Sequence, residues 1–159
     1  GVTYYGSMVI VGEGVDNNYY LVKGVAAQFK EIDWWVEQAR KLTDIYGNIP
    51  FYADSARPEH VARFDNEGFD ISNANKSVIA GIELIAKLFK EQRLYVKQGF
   101  VPRFFDEIFQ YRWKEGSTKD EPLKEFDDVL DSVRYALYSD YVVNSTERAS
   151  YDDLIDMFS

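Results

Sequence analysis

The order of its patterned segments is what most constrains this chain. Two β-branched or aromatic runs, Met8-Val9-Ile10-Val11 and Asn18-Tyr19-Tyr20-Leu21-Val22, flank Gly12-Glu13-Gly14-Val15-Asp16-Asn17, a turn composition. Residues 8–28 are therefore expected to form an antiparallel hairpin. Beyond them helical and extended patterns alternate. Ile32, Trp35, Val36, Ala39, Leu42 and Tyr46 recur at helical spacing until Gly47-Asn48 ends the run. A strand ending at Asp54 follows, then a short helix over 58–66 with Pro58 at its first position. A strand over 69–72 leads to a helix over 76–90, with Val78, Ile79, Ile82, Ile85, Ala86 and Phe89 as its expected buried stripe. Residues 94–96 read as a short strand, and 102–113 fit helix or strand equally. Residues 114–121 read as a mobile polar loop, and 127–141 as a helix. A hairpin followed by strands alternating with helices predicts an α/β fold with a mixed sheet.

At 159 residues, 46% of them hydrophobic and 16% aromatic, the chain is one domain able to bury a full core. With no cysteine, disulfides and thiolate metal sites are excluded. The single histidine, His60, excludes a His-rich zinc centre and reads as a surface residue. No apolar stretch approaches the roughly 18 residues of a membrane span, so the expectation is a soluble, intracellular protein. A net charge of −9 argues against a free-standing nucleic-acid binder, since phosphate affinity comes from clustered Lys and Arg. Over 144–159, Tyr151, Leu154, Ile155 and Phe158 share one helical face among Asp152, Asp153 and Asp156. This predicts an acidic amphipathic tail helix that packs on its own domain or docks a neighbour.

Acidic side chains cluster at two places. Asp54 closes the apolar run Ile49-Pro50-Phe51-Tyr52-Ala53, at the carboxyl end of a strand, where α/β sheets place ligands. Asp127, Asp128 and Asp131 open the late helix, in which Val129, Leu130, Val133, Ala136 and Leu137 form the core stripe. Carboxylate oxygens are the ligands that Mg²⁺ and Mn²⁺ prefer. Capping and the helix dipole account equally for Asp127 and Asp128, but less well for Asp131. Tyr135 and Tyr138 beside the acids indicate that this face is covered too. Asp54 also has a capping reading, although Ser55 is placed to do that work. Arg57 and Lys76 are candidates for touching phosphate, whereas Gly12-Glu13-Gly14 is too short and too acidic to bind it.

The runs Phe51-Tyr52-Ala53-Asp54-Ser55-Ala56-Arg57-Pro58-Glu59 and Glu31-Ile32-Asp33-Trp34-Trp35 are two parts of a larger pattern. The third is Lys124-Glu125-Phe126-Asp127-Asp128-Val129-Leu130-Asp131-Ser132-Val133-Arg134-Tyr135-Ala136. Together they resemble the C-terminal nuclease domain of tailed-phage terminase large subunits, over roughly residues 4–143. The resemblance implies an RNase H/RuvC-like fold, a mixed sheet flanked by helices on both faces, with a nuclease unit over 1–143 and the acidic tail over 144–159. It implies a divalent-metal-dependent endonuclease that uses two Mg²⁺ or Mn²⁺ ions to cut concatemeric viral double-stranded DNA. The implied partners are the terminase ATPase domain, the small terminase subunit and the portal protein, in the host cytoplasm and with no membrane. By position, Asp54 matches the family's second acidic ligand and Asp131 the acid of the last helix, with Asp128 supporting or joining the metal site. Residues from about 100 to 126 resemble a mobile hairpin or loop that regulates DNA access. One departure stands out. The family's first aspartate, within Gly-Val-Asp, precedes a Tyr-Gly-Ser, and here Gly1-Val2-Thr3 stands before Tyr5-Gly6-Ser7. Either the chain begins after that first strand or Thr3 stands in the aspartate's place, and a non-catalytic or truncated nuclease-like module that docks to the motor or portal is the alternative reading. A further one, another RNase H-like enzyme, would call for a more basic surface.

Overall fold

The computed structural model describes residues 5–110 and 128–158, with side chains described over 6–108 and 128–144. Two strands open the fold, β1 (Tyr5–Glu13) and β2 (Tyr19–Gln28), paired antiparallel as the hairpin pattern predicts. The register slips between Ile10 and Val11, so that Ile10 pairs with Lys23 but Val11 pairs with Leu21. Such a bulge reverses which face each later side chain takes. Tyr19 and Leu21 on one side of it, and Ala26 on the other, thereby all reach the same apolar cluster.

Helix α1 (Ile32–Tyr46) buries Val36, Ala39 and Leu42 and stops at Gly47, whose φ of 85° suits a residue with no side chain. Next come β3 (Phe51–Ala53), α2 (Pro58–Asn66), β4 (Ile71–Asn73), α3 (Val78–Lys90) and β5 (Leu94–Val96). The stretch that fits helix or strand is helix α4 (Pro102–Gln110), and α5 (Asp128–Phe158) is one continuous rod. The helical pattern of the tail is thus an extension of the preceding helix. The polar loop expected over 114–121 lies outside the described residues.

Hydrogen bonding divides the strands into two sets. β2 lies between β1 and a parallel β5, while β3 and β4 pair parallel with each other. Mixed pairing is present as expected, and helices cover both faces. On one face α3, α4 and α5 close over Leu21, Leu88, Phe100, Phe104, Val129, Val133 and Leu137. On the other, Val36 and Ala39 of α1 pack with Phe64 and Phe69, against Met8 of β1 and Phe51 of β3. Helix α5 ties the fold together, touching β1, β2, β3, α3 and α4.

The stripe expected on α3 needs correction. The buried residues are Gly81, Leu84, Ile85 and Leu88, while Ile79, Ala86 and Phe89 point outward. In so uniformly apolar a helix the hydrophobic pattern sets rotation weakly. The close approach permitted by Gly81 turns that side of α3 toward α5 instead, where Arg134 lies against it.

Candidate metal and phosphate site

A cavity of about 1110 Å³ runs between β1 and β3, with α1 and α5 completing its walls. Asp54, Asp128 and Asp131 all line it, as do Arg57 and His60. Residues remote in sequence are therefore brought to one space. Among the described residues, however, no three His, Asp or Glu side chains stand close enough to form a ready metal cage. The positions of Gly1, Val2 and Thr3 lie outside the described residues.

Asp54 follows directly on β3, and its side chain is 50% exposed. Its Oδ1 accepts the Ala56 N–H at 2.9 Å and the Lys76 ammonium at 2.8 Å. The turn is held by Asp54 itself, so the expectation that Ser55 would relieve it of this work is revised. Asp54 consequently has a fixed orientation, with a cation beside it. Arg57, at the N-cap of α2, contributes a positive group to the cavity wall.

Asp128 is the first residue of α5 and is 38% exposed, while Asp131, one turn on, is only 18% exposed. Each leans on an arginine. Arg103 Nη2 lies 3.1 Å from Asp128 Oδ2, and Arg134 Nη1 lies 3.2 Å from Asp131 Oδ1. Arg134 is buried, its guanidinium 5.2 Å from the centre of the Tyr135 ring. Tyr135 is buried and lines the cavity beside the acids, whereas Tyr138 packs against the larger apolar cluster, so the expected covering of the acids' face rests on Tyr135 alone. Ser7 of β1 donates to the Asp128 carbonyl at 2.9 Å and shares a hydrogen bond with Ser132.

Pattern reading missed Glu107. It is fully buried on α4 and accepts the N–H groups of both Val129 and Leu130. Burial pushes its carboxyl above the ordinary range, while those two amides and the Arg103 guanidinium act in the opposite direction. In sequence Arg103 and Glu107 look like a routine surface i,i+4 pair. The one available sign was that Glu107 lies three residues past Phe104, on the apolar side of a short helix.

The donor set is all oxygen, which suits a hard divalent cation better than a soft one. One carboxylate at the carboxyl end of a strand and two at the start of α5, each with a basic neighbour, have the composition of a centre for phosphate-ester chemistry. No helix of the described residues is long and apolar enough to cross a membrane.

The family model of the terminase RNaseH-like domain matches residues 4–140. Among curated proteins, none matches the chain in sequence. In structure the chain is similar to the large terminase of a thermophilic bacteriophage, with a TM-score of 0.78 and 19% identity over 90% of this chain. It spans only 37% of that protein's length. It is similar to the nuclease domain of the P22 large terminase, with a TM-score of 0.69 and 21% identity, over 86% of this chain and 74% of that one. The nuclease domain of the bacteriophage SPP1 large terminase, solved with bound Mn, gives 0.65 and 18%, covering 84% of this chain and 78% of that one.

Proposed function

The chain belongs to the terminase RNaseH-like domain family, and from that premise we propose that it is the metal-dependent endonuclease domain of a phage DNA-packaging terminase large subunit. Its substrate is concatemeric viral double-stranded DNA. The observation carrying this reading is that Asp54 lines one cavity with Asp128 and Asp131 although the chain separates it widely from that pair.

Asp54 and Asp131, with Asp128 in support, are the residues that would hold Mg²⁺ or Mn²⁺. Such ions, when bound, activate the attacking water and neutralise charge that develops on the scissile phosphate. The chain's own groups do the rest. The Ala56 amide and Lys76 hold Asp54, and Arg134 lies against Asp131, so that each carboxylate has a cation beside it. Lys76 and Arg57 offer cations to the backbone of the nucleic acid. With a net charge of −9 the domain has little affinity for DNA of its own. The ATPase domain, the small subunit and the portal protein therefore present the substrate, in the host cytoplasm.

The test is nicking of supercoiled plasmid in Mn²⁺ by the full chain. Asp54→Asn and Asp131→Asn should each abolish nicking with the far-ultraviolet circular dichroism unchanged. Full activity in either variant removes that residue from the chemistry. The absence of an aspartate in Gly1-Val2-Thr3 favours a second reading, a nuclease-like module that docks to motor or portal without cutting. A wild-type chain that binds the portal but never nicks DNA, and loses the portal on deletion of residues 144–159, would establish that alternative.

A further inference from the structure

The first amides of an α-helix need acceptors, which side chains just ahead of the helix ordinarily supply. For Val129 and Leu130 of α5 the acceptor lies on a different helix. Glu107 of α4 accepts the Leu130 N–H on Oε1 at 2.8 Å and the Val129 N–H on Oε2 at 3.2 Å. Arg103, one turn earlier on α4, sets its Nε 2.9 Å from Glu107 Oε2 and its Nη2 3.1 Å from Asp128 Oδ2. From the opposite side Ser7 Oγ donates to the Asp128 carbonyl. The first turn of α5 is thereby gripped through its amides, a carbonyl and a carboxylate at once.

Removing a carboxylate from water is costly, and a well-packed apolar residue is often no less stable in its place. A fully buried Glu107 therefore calls for a role other than stability. We infer that Glu107 and Arg103 are positioning residues: they fix the rotation and height of the first turn of α5, so that Asp128 and Asp131 face the cavity that Asp54 lines. Because Glu107 accepts the Val129 and Leu130 amides, those two make no demand on Asp128 or Asp131. The effect on metal binding rests on the function proposed above, whereas the grip itself does not.

Two measurements on the full chain separate these parts. The first is Mn²⁺ affinity by calorimetry for wild type, Glu107→Gln and Arg103→Gln. Partners that orient metal ligands typically contribute about 10- to 100-fold in affinity, so each folded variant should bind Mn²⁺ at least tenfold more weakly. Phe69→Leu, in the other apolar cluster, should lower the melting temperature and leave Mn²⁺ affinity alone, which a merely structural role for Glu107 does not predict. Unchanged affinity in a folded Glu107→Gln overturns the inference. If that variant fails to fold, the same criterion applies to Arg103→Gln.

The second measurement is amide hydrogen exchange. In the wild type Val129 and Leu130 should be protected, and in any folded Glu107→Gln their protection should fall while that of Val36 and Ala39 holds. Exchange of Val129 and Leu130 at free-peptide rates in the wild type overturns the inference with no variant needed. A wild type that binds no Mn²⁺ defeats the proposed function instead, and the grip then stands or falls on exchange alone.

Discussion

Gly81→Ala sets two effects of known size against each other. Gly81 lies inside α3, where this helix meets α5. Alanine is the better helix former by about 1 kcal/mol, so an open position would gain stability. Here the new β-carbon would stand 2.6 Å from Arg134 Cγ and 2.8 Å from Cδ. Arg134 is buried, and Cγ is near the root of its side chain, so the clash is not relieved by moving the tip alone. Overpacking of this kind costs about 1–3 kcal/mol. Evasion would also carry the guanidinium away from the Tyr135 ring and from Asp131, at about another 1 kcal/mol. The balance is a loss of about 1–3 kcal/mol. For a chain of 159 residues this lowers Tm by about 2–12 °C, at about 2–4 °C per kcal/mol. Differential scanning calorimetry at neutral pH reads it directly. The same substitution made alongside Arg134→Ala should become neutral or stabilising, since the obstacle is gone. A Tm at or above the parent's for Gly81→Ala alone would refute the account of how α3 and α5 meet.

Three shorter predictions follow from the same geometry. Leu21→Ala, which opens a hole in the centre of the larger cluster, should cost about 2–5 kcal/mol by urea denaturation; a cost under about 1 kcal/mol would show that the cluster is loosely packed. Lys76→Met removes the cation 2.8 Å from Asp54 and should weaken DNA cleavage through KM more than through kcat, and an unchanged KM would dismiss it as a phosphate contact. Arg63, and then Arg40, hold the Glu67 carboxyl below its ordinary value of 4.5. Stability from that pairing is present above the ordinary value and disappears as pH falls through the lowered one. The melting-temperature gap between wild type and Glu67→Gln should therefore close on acidification, and a gap independent of pH would rule the pairing out.

Much of the fold was legible because its periodicities are local. The hairpin needed only two β-rich runs around a turn, and α2 begins at Pro58, as that residue's fixed geometry dictates. Asp54 was visible as the residue that ends a strand, and the acids of α5 as residues opposite a core stripe. What the sequence could not express is who partners whom. Ala56 and Lys76, not Ser55, settle the orientation of Asp54. The Val129 and Leu130 amides of α5 are satisfied by Glu107, on another helix. The rotation of α3 depends on a glycine that fits the stem of Arg134, a contact between segments that no periodicity within α3 records.

One rod carries both Asp131 and the residues Val133 and Leu137, which plug the larger apolar cluster. Each residue added to a helix turns everything beyond it by about 100° and lifts it by about 1.5 Å. A single insertion between Asp131 and Val133 would thus leave the plug seated and swing the carboxylates off their wall, or keep the carboxylates and unseat the plug. The spelling of α5 is locked in length over that stretch, where even a conservative duplication of one letter forfeits either the placement of the acids or the keel.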